Sequence, residues 1–199
     1  MKPILNEPVS PKAAEIAMHA RALLAAGSYD SFSYADISDR VGISKASIHH
    51  HFASKAELVR FVVAQYRKEA REGMASLDRH IAEPLGELNA YVDYWSKCIR
   101  DGSASFCICA MLATEFPTLP SDIGDEVRGH FEDLTKWLGV VLKKGVASGQ
   151  FHLTMTPAIE AKAFMAVVHG AMLSARAFGD AEAFRAITHL AIRKLTAAV

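Results

Sequence analysis

Residues Ser33–Leu58 read SYADISDRVGISKASIHHHFASKAEL, and the rest of the chain is understood from this stretch. Ser33 followed three residues later by Asp36 is a capping-box pair, so a helix is expected to start at Tyr34. Ile37 and Val41 give that helix an apolar stripe. Gly42 ends it, because glycine accepts the left-handed conformation of a tight turn. Ser44 then caps a second short helix, Lys45 to about His51, with Ile48 and Phe52 one turn apart facing inward. Ser54 and Glu57 form another capping pair and open a third helix. Two short helices joined by a glycine turn, the second carrying outward Lys45, Ala46, Ser47 and His49, have the layout of a helix-turn-helix DNA reader.

Here a family resemblance appears as well. The run GISKASIHHHFASKAEL resembles the signature of the tetracycline-repressor (TetR) family of bacterial transcription regulators. Ala17 to Gly27, and Phe32-Ser33 through Ile37, are similar to that family's first helix and the start of its second. The resemblance is strong from about Ile16 to Tyr66 and loose beyond. At one position the chain departs from the family pattern: His49 stands where an aromatic, most often tyrosine, is usual, which bears on the base or phosphate contact made there. The resemblance implies base-edge or phosphate contact for Lys45, and further DNA contacts for Ser47, His49 and His51. It implies phosphate contacts for Lys55, Ser33 and Tyr34. Ala46 and His50 lie on the same short helix, and His50 can equally pack or face phosphate.

Composition sets the class. The 199 residues are 51% hydrophobic, enough for one or two domains with a true core. The first 80 residues hold 11 basic and 9 acidic side chains and the remainder 11 and 13, too small an asymmetry to signal nucleic acid. The DNA reading therefore rests on the motif. Three cysteines, an odd number, without a signal peptide point to a reducing cytoplasm and free thiols. The longest apolar runs are expected to be too short to span a bilayer. A soluble cytoplasmic protein with no membrane partner is expected.

In chain order, Met1 to Val9 carries two prolines and no periodicity and reads as an arm. Ser10 caps a helix with Pro11 in its tolerated first position, ending at Gly27. After the two reader helices comes a long one from Lys55 to about Arg79. Pro84 to about Arg100 has Leu88, Tyr91, Val92 and Trp95 at helical spacing. Ala104 to Phe116 reads as a shorter apolar helix, Ser121 to about Ser148 as a long one, then Thr156-Pro157 caps a helix to Phe178. Asp180 caps the last, through to about Ala197. No strand period is found. The expected fold is all-α, about nine helices: an N-terminal helix-turn-helix domain, 1–54, and a C-terminal effector-binding and dimerisation bundle, 55–199.

Two groups of side chains invite chemistry. The triplet His49-His50-His51 suggests a metal, but successive helical residues point roughly 100° apart and do not close on one ion. No metal and no cofactor are expected. In Ser105-Phe106-Cys107-Ile108-Cys109 the two thiols face roughly opposite sides of a helix and are not a CxxC pair. Cys107 follows the Gly102-Ser103 break, and a helix N-terminus stabilises thiolate. The segment also resembles a TetR subgroup with a cysteine eight residues before a glutamate, here Cys107 and Glu115. In some of its members that cysteine senses oxidants or electrophiles; as a plain residue of the bundle it is a small buried hydrophobe.

Trp95, Phe106, Met111, Phe116, Phe131 and Trp137 make the bundle aromatic and sulfur-rich. Helical spacing makes them core. The resemblance implies an effector cavity lined by part of the set, with Trp95, Phe106, Cys107, Met111, Phe131 and Trp137 as candidates. There is no Gly-rich phosphate loop, nucleophile elbow or paired carboxylate with a positioned base, so an enzyme is not expected. Small residues on the penultimate helix and an apolar seam on the last are either domain core or a four-helix dimer interface. Val167, Ala171, Ala175, Ile187 and Leu190 are the candidates for that interface. The resemblance implies a homodimeric repressor on a palindromic operator in double-stranded DNA, released by a small-molecule effector.

Overall fold

The computed structural model describes residues 10–104 and 106–196. Among these there are nine α-helices and no strand: α1 (Pro11–Ala26), α2 (Tyr34–Val41), α3 (Lys45–His51), α4 (Lys55–His80), α5 (Pro84–Asp101), α6 (Ile108–Ala113), α7 (Ser121–Ala147), α8 (Pro157–Phe178) and α9 (Ala181–Thr196). The all-α class and the helix order follow the sequence expectation. The arm read at Met1–Val9 lies outside the described residues.

Helix starts are set by side chains that accept the otherwise unbonded N–H groups of a first turn. Ser10 accepts from the Ala13 amide at 3.2 Å and Thr156 from Ile159 at 3.4 Å, each with proline next in the chain. Asp180 accepts from the Glu182 amide at 2.9 Å and opens α9.

α6 is shorter than the Ala104–Phe116 helix expected, part of which lies outside the described residues. Phe106 and Cys107 are buried yet precede the helix. At the other end Thr114 and Glu115 donate to Met111 and Leu112, a three-residue closure that ends the α pattern. Apolar content made the segment look helical throughout, whereas its burial comes from tertiary packing.

The helices gather into two compact units. The first takes in the chain through Lys68 together with Ile108–Gly129. Its centre is Ile16, Leu24, Ile37, Ile48, Leu58 and Leu112, all fully buried. Phe52 and Phe61 pack with ring centroids 5.4 Å apart. On its surface Arg67 of α4 pairs with Glu126 of α7 at 3.3 Å.

The second unit comprises Glu69–Cys107 and His130–Val199. In it α9 packs on both α8 and α5. Phe151 sits so close to Gly145 of α7 that a β-carbon there would lie 1.9 Å from the ring, so only glycine admits this approach. Glu87, fully buried on α5, meets Lys144 of α7 at 3.3 Å, and Lys144 also bonds Asp78.

Phe184 of α9 heads the largest fully buried side chains. Phe184→Ala is expected to lower stability by about 3–5 kcal/mol, from lost burial plus the cavity left behind. Urea titration followed by circular dichroism checks this, and an unchanged midpoint would remove Phe184 from the centre of the unit.

α8 bears on the expectation about membrane spans. Its 22 residues contain an 18-residue window of mean hydropathy 1.2, long and apolar enough to cross a membrane by length and composition, although 33% of that window is buried inside the protein. The expectation counted unbroken apolar runs, and alanine with scattered polar residues escaped it.

Candidate nucleic-acid interface and aromatic cluster

The reader is built from local capping. The Ser33 amide and hydroxyl both donate to the Asp36 carboxylate, at 2.7 and 2.8 Å, and the Ala35 amide donates to Ser33 Oγ at 3.1 Å. Those bonds favour the ionised carboxylate, so Asp36 titrates below its ordinary value, the Ser33 hydroxyl being the largest cause. Gly42 adopts φ 69° at the turn. Ser44 Oγ then accepts from the Ser47 amide at 3.1 Å and starts α3.

Within α3, Ile48 is fully buried and anchors the helix, while Lys45, Ala46, His49 and His50 are exposed and Ser47 and His51 half-buried. The His50 and His51 rings meet edge-on at 5.5 Å. His49 Nδ1 lies 3.1 Å from the Ala53 carbonyl oxygen. A carbonyl only accepts, so Nδ1 is the donor in this contact.

Tyr34 is placed differently from the other candidates. It is buried, its hydroxyl donates to the Phe52 carbonyl at 2.9 Å, and its ring meets His49 edge-on at 4.8 Å. Burial, with Glu57 and Tyr29 nearby, pushes its hydroxyl up to about 12. The side chain braces α2 and α3, so what Tyr34 presents outward is backbone at the start of α2.

Lys55 is half-buried, its ammonium 4.5 Å from the Tyr29 ring centroid and 4.8 Å from that of Phe32. Burial lowers its pKa, offset in part by Asp30, Glu115 and Asp36. The same turn is held by the Tyr29 amide, which donates to Glu115 at 2.7 Å.

The second unit gathers the aromatic residues around Tyr91. Its ring meets Trp137 edge-on at 5.5 Å. The Trp95 indole N–H lies beside its hydroxyl and favours the ionised form. Burial, then the neighbouring Cys107, pushes the Tyr91 hydroxyl well above its ordinary range, only partly offset by Trp95. Cys107 Sγ lies 3.8 Å from His130 Nε2, and both residues are buried. From His130 the contacts run to Phe131, at 6.1 Å between ring centroids, and on to His169 of α8 at 5.3 Å. Trp95, Cys107, Phe131 and Trp137 are thus joined through contacts with Tyr91 and His130. Phe106 is buried next to Cys107 in the chain, and Met111 belongs to the first unit.

His130 and His169 were not among the sequence candidates, and Tyr91 was read only as part of an apolar face. A signal existed for two of them. Tyr91 stands four residues before Trp95 and His130 seven before Trp137, so each pair shares a helix face.

On the surface of the second unit, Leu190 is exposed and Val167 and Ile187 half-buried, while Ala171 and Ala175 are 1% and 4% exposed. The last two already face the protein's own core. The outward apolar stripe of α8 is Ile159, Ala163, Ala166, Gly170, Leu173 and Ala177, spaced alternately four and three residues apart.

Residues 16–62 match the family described as bacterial regulatory proteins, tetR family, and residues 84–190 match the tetracyclin repressor-like C-terminal domain. A transcriptional regulator of the TetR family from Agrobacterium tumefaciens is 52% identical over 96% of this chain and 100% of that one, with a TM-score of 0.93. The chain belongs to the TetR family. As a TetR-family transcription regulator it carries its helix-turn-helix within the first match, which spans most of α1 through the early turns of α4. Two more distant structures share the TetR fold. One is a TetR transcriptional regulator from Legionella pneumophila, 24% identical, covering 95% of this chain and 100% of that one, with a TM-score of 0.83. The other is E. coli NemR in its reduced form, 15% identical, covering 94% and 100%, with a TM-score of 0.79. No curated protein matches the chain.

Proposed function

We propose that this TetR-family regulator is a homodimeric cytoplasmic repressor, without enzymatic activity, released from a palindromic operator by a small-molecule effector. Residues 1–54 read DNA and residues 55–199 bind effector and dimerise. The observation that carries the reading is α3 itself: Ile48 holds one face inside while Lys45, Ala46, His49 and His50 stand outside on a helix short enough to lie in a major groove. In a dimer the two such helices engage half-sites one helical turn apart, about 34–36 Å. α4 runs unbroken from the start of the reader's supporting helix to His80, a continuous element for effector binding to act through. An effector that prefers the released form by about 5.5 kcal/mol takes occupancy from 99:1 to 1:99.

The test is anisotropy titration of an operator found by selection from random DNA. Lys45→Ala and His49→Ala are each expected to weaken binding by about 1–3 kcal/mol if they contact bases, or to lower the salt slope by about one if they contact phosphate. Helicity and assembly should be unchanged. Parental affinity in both variants across a salt series would overturn the groove assignment.

A second reading, in which covalent chemistry at Cys107 supplies the signal, is favoured by one observation, the imidazole of His130 at 3.8 Å from its sulfur. It shares the DNA output and differs only at the sensor.

A further inference from the structure

The two tryptophans of the cluster differ in one respect. The Trp95 indole N–H has the Tyr91 hydroxyl beside it and is not among the buried atoms left without a partner. The Trp137 Nε1 is buried and meets no acceptor. Buried donors are nearly always paired, and each exception calls for a reason. An imidazole can move its proton to its other nitrogen, but an indole N–H only donates and its position is fixed by the ring. Trp137 as a residue is only half-buried, yet this one atom is covered, and it lies in the ring that meets Tyr91 edge-on at 5.5 Å.

We infer that the effector is a planar aromatic compound without negative charge whose carbonyl or equivalent acceptor takes the indole N–H of Trp137. The inference rests on the effector-binding reading above and names its ligand class. The acceptor follows from the unmet donor. The planar aromatic body follows from the Tyr91, Trp95 and Trp137 rings, which offer edges and faces. The lack of negative charge follows from what is buried: among the described residues no lysine or arginine is buried, and the buried carboxylate, Glu87, bonds Lys144 through Oε1 at 3.3 Å while its Oε2 meets no donor. An anionic ligand would enter without a buried lysine or arginine to compensate it. The site rejects an otherwise identical compound that lacks the acceptor, because that compound leaves the indole N–H covered and unmet.

Three probes of one shape separate these claims: 1-acetylnaphthalene, 1-ethylnaphthalene and 1-naphthoate, titrated by calorimetry and by tryptophan fluorescence. The parent is expected to bind the acetyl compound about tenfold more tightly than the ethyl compound, the worth of one neutral hydrogen bond, and the naphthoate most weakly. Trp137→Phe keeps the ring and removes the donor. It is expected to bring the acetyl-to-ethyl ratio to about one while ethyl binding holds, with Trp95 remaining as the fluorophore. Trp95→Phe, which leaves the unmet Trp137 N–H in place, is expected to keep the preference. Equal affinities in the parent mean a bound water only at Trp137 and overturn the inference, leaving effector binding intact. A preference that survives Trp137→Phe, or tightest binding by naphthoate, overturns it too. If none of the three probes binds the parent, the aromatic cluster is no ligand site and the effector reading falls with the inference.

Discussion

Leu190→Glu is expected to convert the protein from dimer to monomer and to reduce specific operator affinity by about 10²–10⁴-fold, the advantage that joined half-site binding supplies. A single chain leaves Ile159, Leu173, Phe178 and Leu190 at 47%, 59%, 79% and 47% exposure, all on α8 and α9. Apolar side chains gathered on one surface mark an interaction site. A two-fold interface is self-complementary, so one substitution enters twice, and a carboxylate near the axis meets desolvation and its own copy together. Sedimentation at micromolar concentration and a gel shift measure the two effects. Ala175→Glu is the informative comparison: with Ala175 4% exposed in the single chain, it should unfold the protomer rather than split a dimer. A Leu190→Glu variant that sediments as the parent does and binds operator equally well would move the interface elsewhere.

That contrast also shows which parts of the molecule can be read from its residues. Helix existence and order were legible because the signals are local: a serine or threonine that accepts first-turn amides, a proline just inside the start, a glycine at the turn. Ser33, Ser44 and Thr156 each do in the structure what their spacing announced. Where no cap exists the boundary failed, as at α6, whose flanking Phe106 and Cys107 are buried without being helical.

Faces were legible only where polarity differs around a helix. On α3 it does: Lys45, Ala46 and His49 of the outward set are exposed, whereas Ser47 is half-buried and His50, left open by the sequence, is exposed. On α8 alanine and glycine line more than one face, so Ala171 and Ala175 could be seam or core, and only the packing of α9 distinguishes them. Tyr34 came only from the resemblance, as a phosphate contact, and its side-chain partner, the Phe52 carbonyl, lies 18 residues away where no local pattern shows it. His130 was missed for the same reason. It stands 23 residues from Cys107, and no local pattern announces such a pairing.

That pairing carries the other large expected effect: if covalent chemistry supplies the signal, Cys107→Ser keeps operator binding and becomes deaf to electrophiles, while Cys98→Ser and Cys109→Ser stay responsive. The attacking species is the thiolate, and a buried thiol surrounded by apolar groups resists forming it. An imidazole within reach changes this by accepting the proton from sulfur as the bond to carbon forms. With a maleimide, Sγ bonds to one alkene carbon, the other receives a proton, and nothing leaves. Of the three cysteines, Cys107 has the His130 imidazole at 3.8 Å, so mass mapping is expected to find the first adduct there. The adduct adds bulk where Cys107 is 1% exposed, and the packing around Tyr91 and His130 must open to hold it. His130→Asn removes the proton acceptor and keeps a polar side chain of similar reach. It should slow Cys107 alkylation on the order of 10²-fold, with unmodified operator affinity unchanged. Gel shifts after timed alkylation give both readouts from one sample. First modification at Cys98 or Cys109, or equal release of parent and Cys107→Ser, would leave Cys107 as packing and return the sensing role to reversible binding beside Trp137.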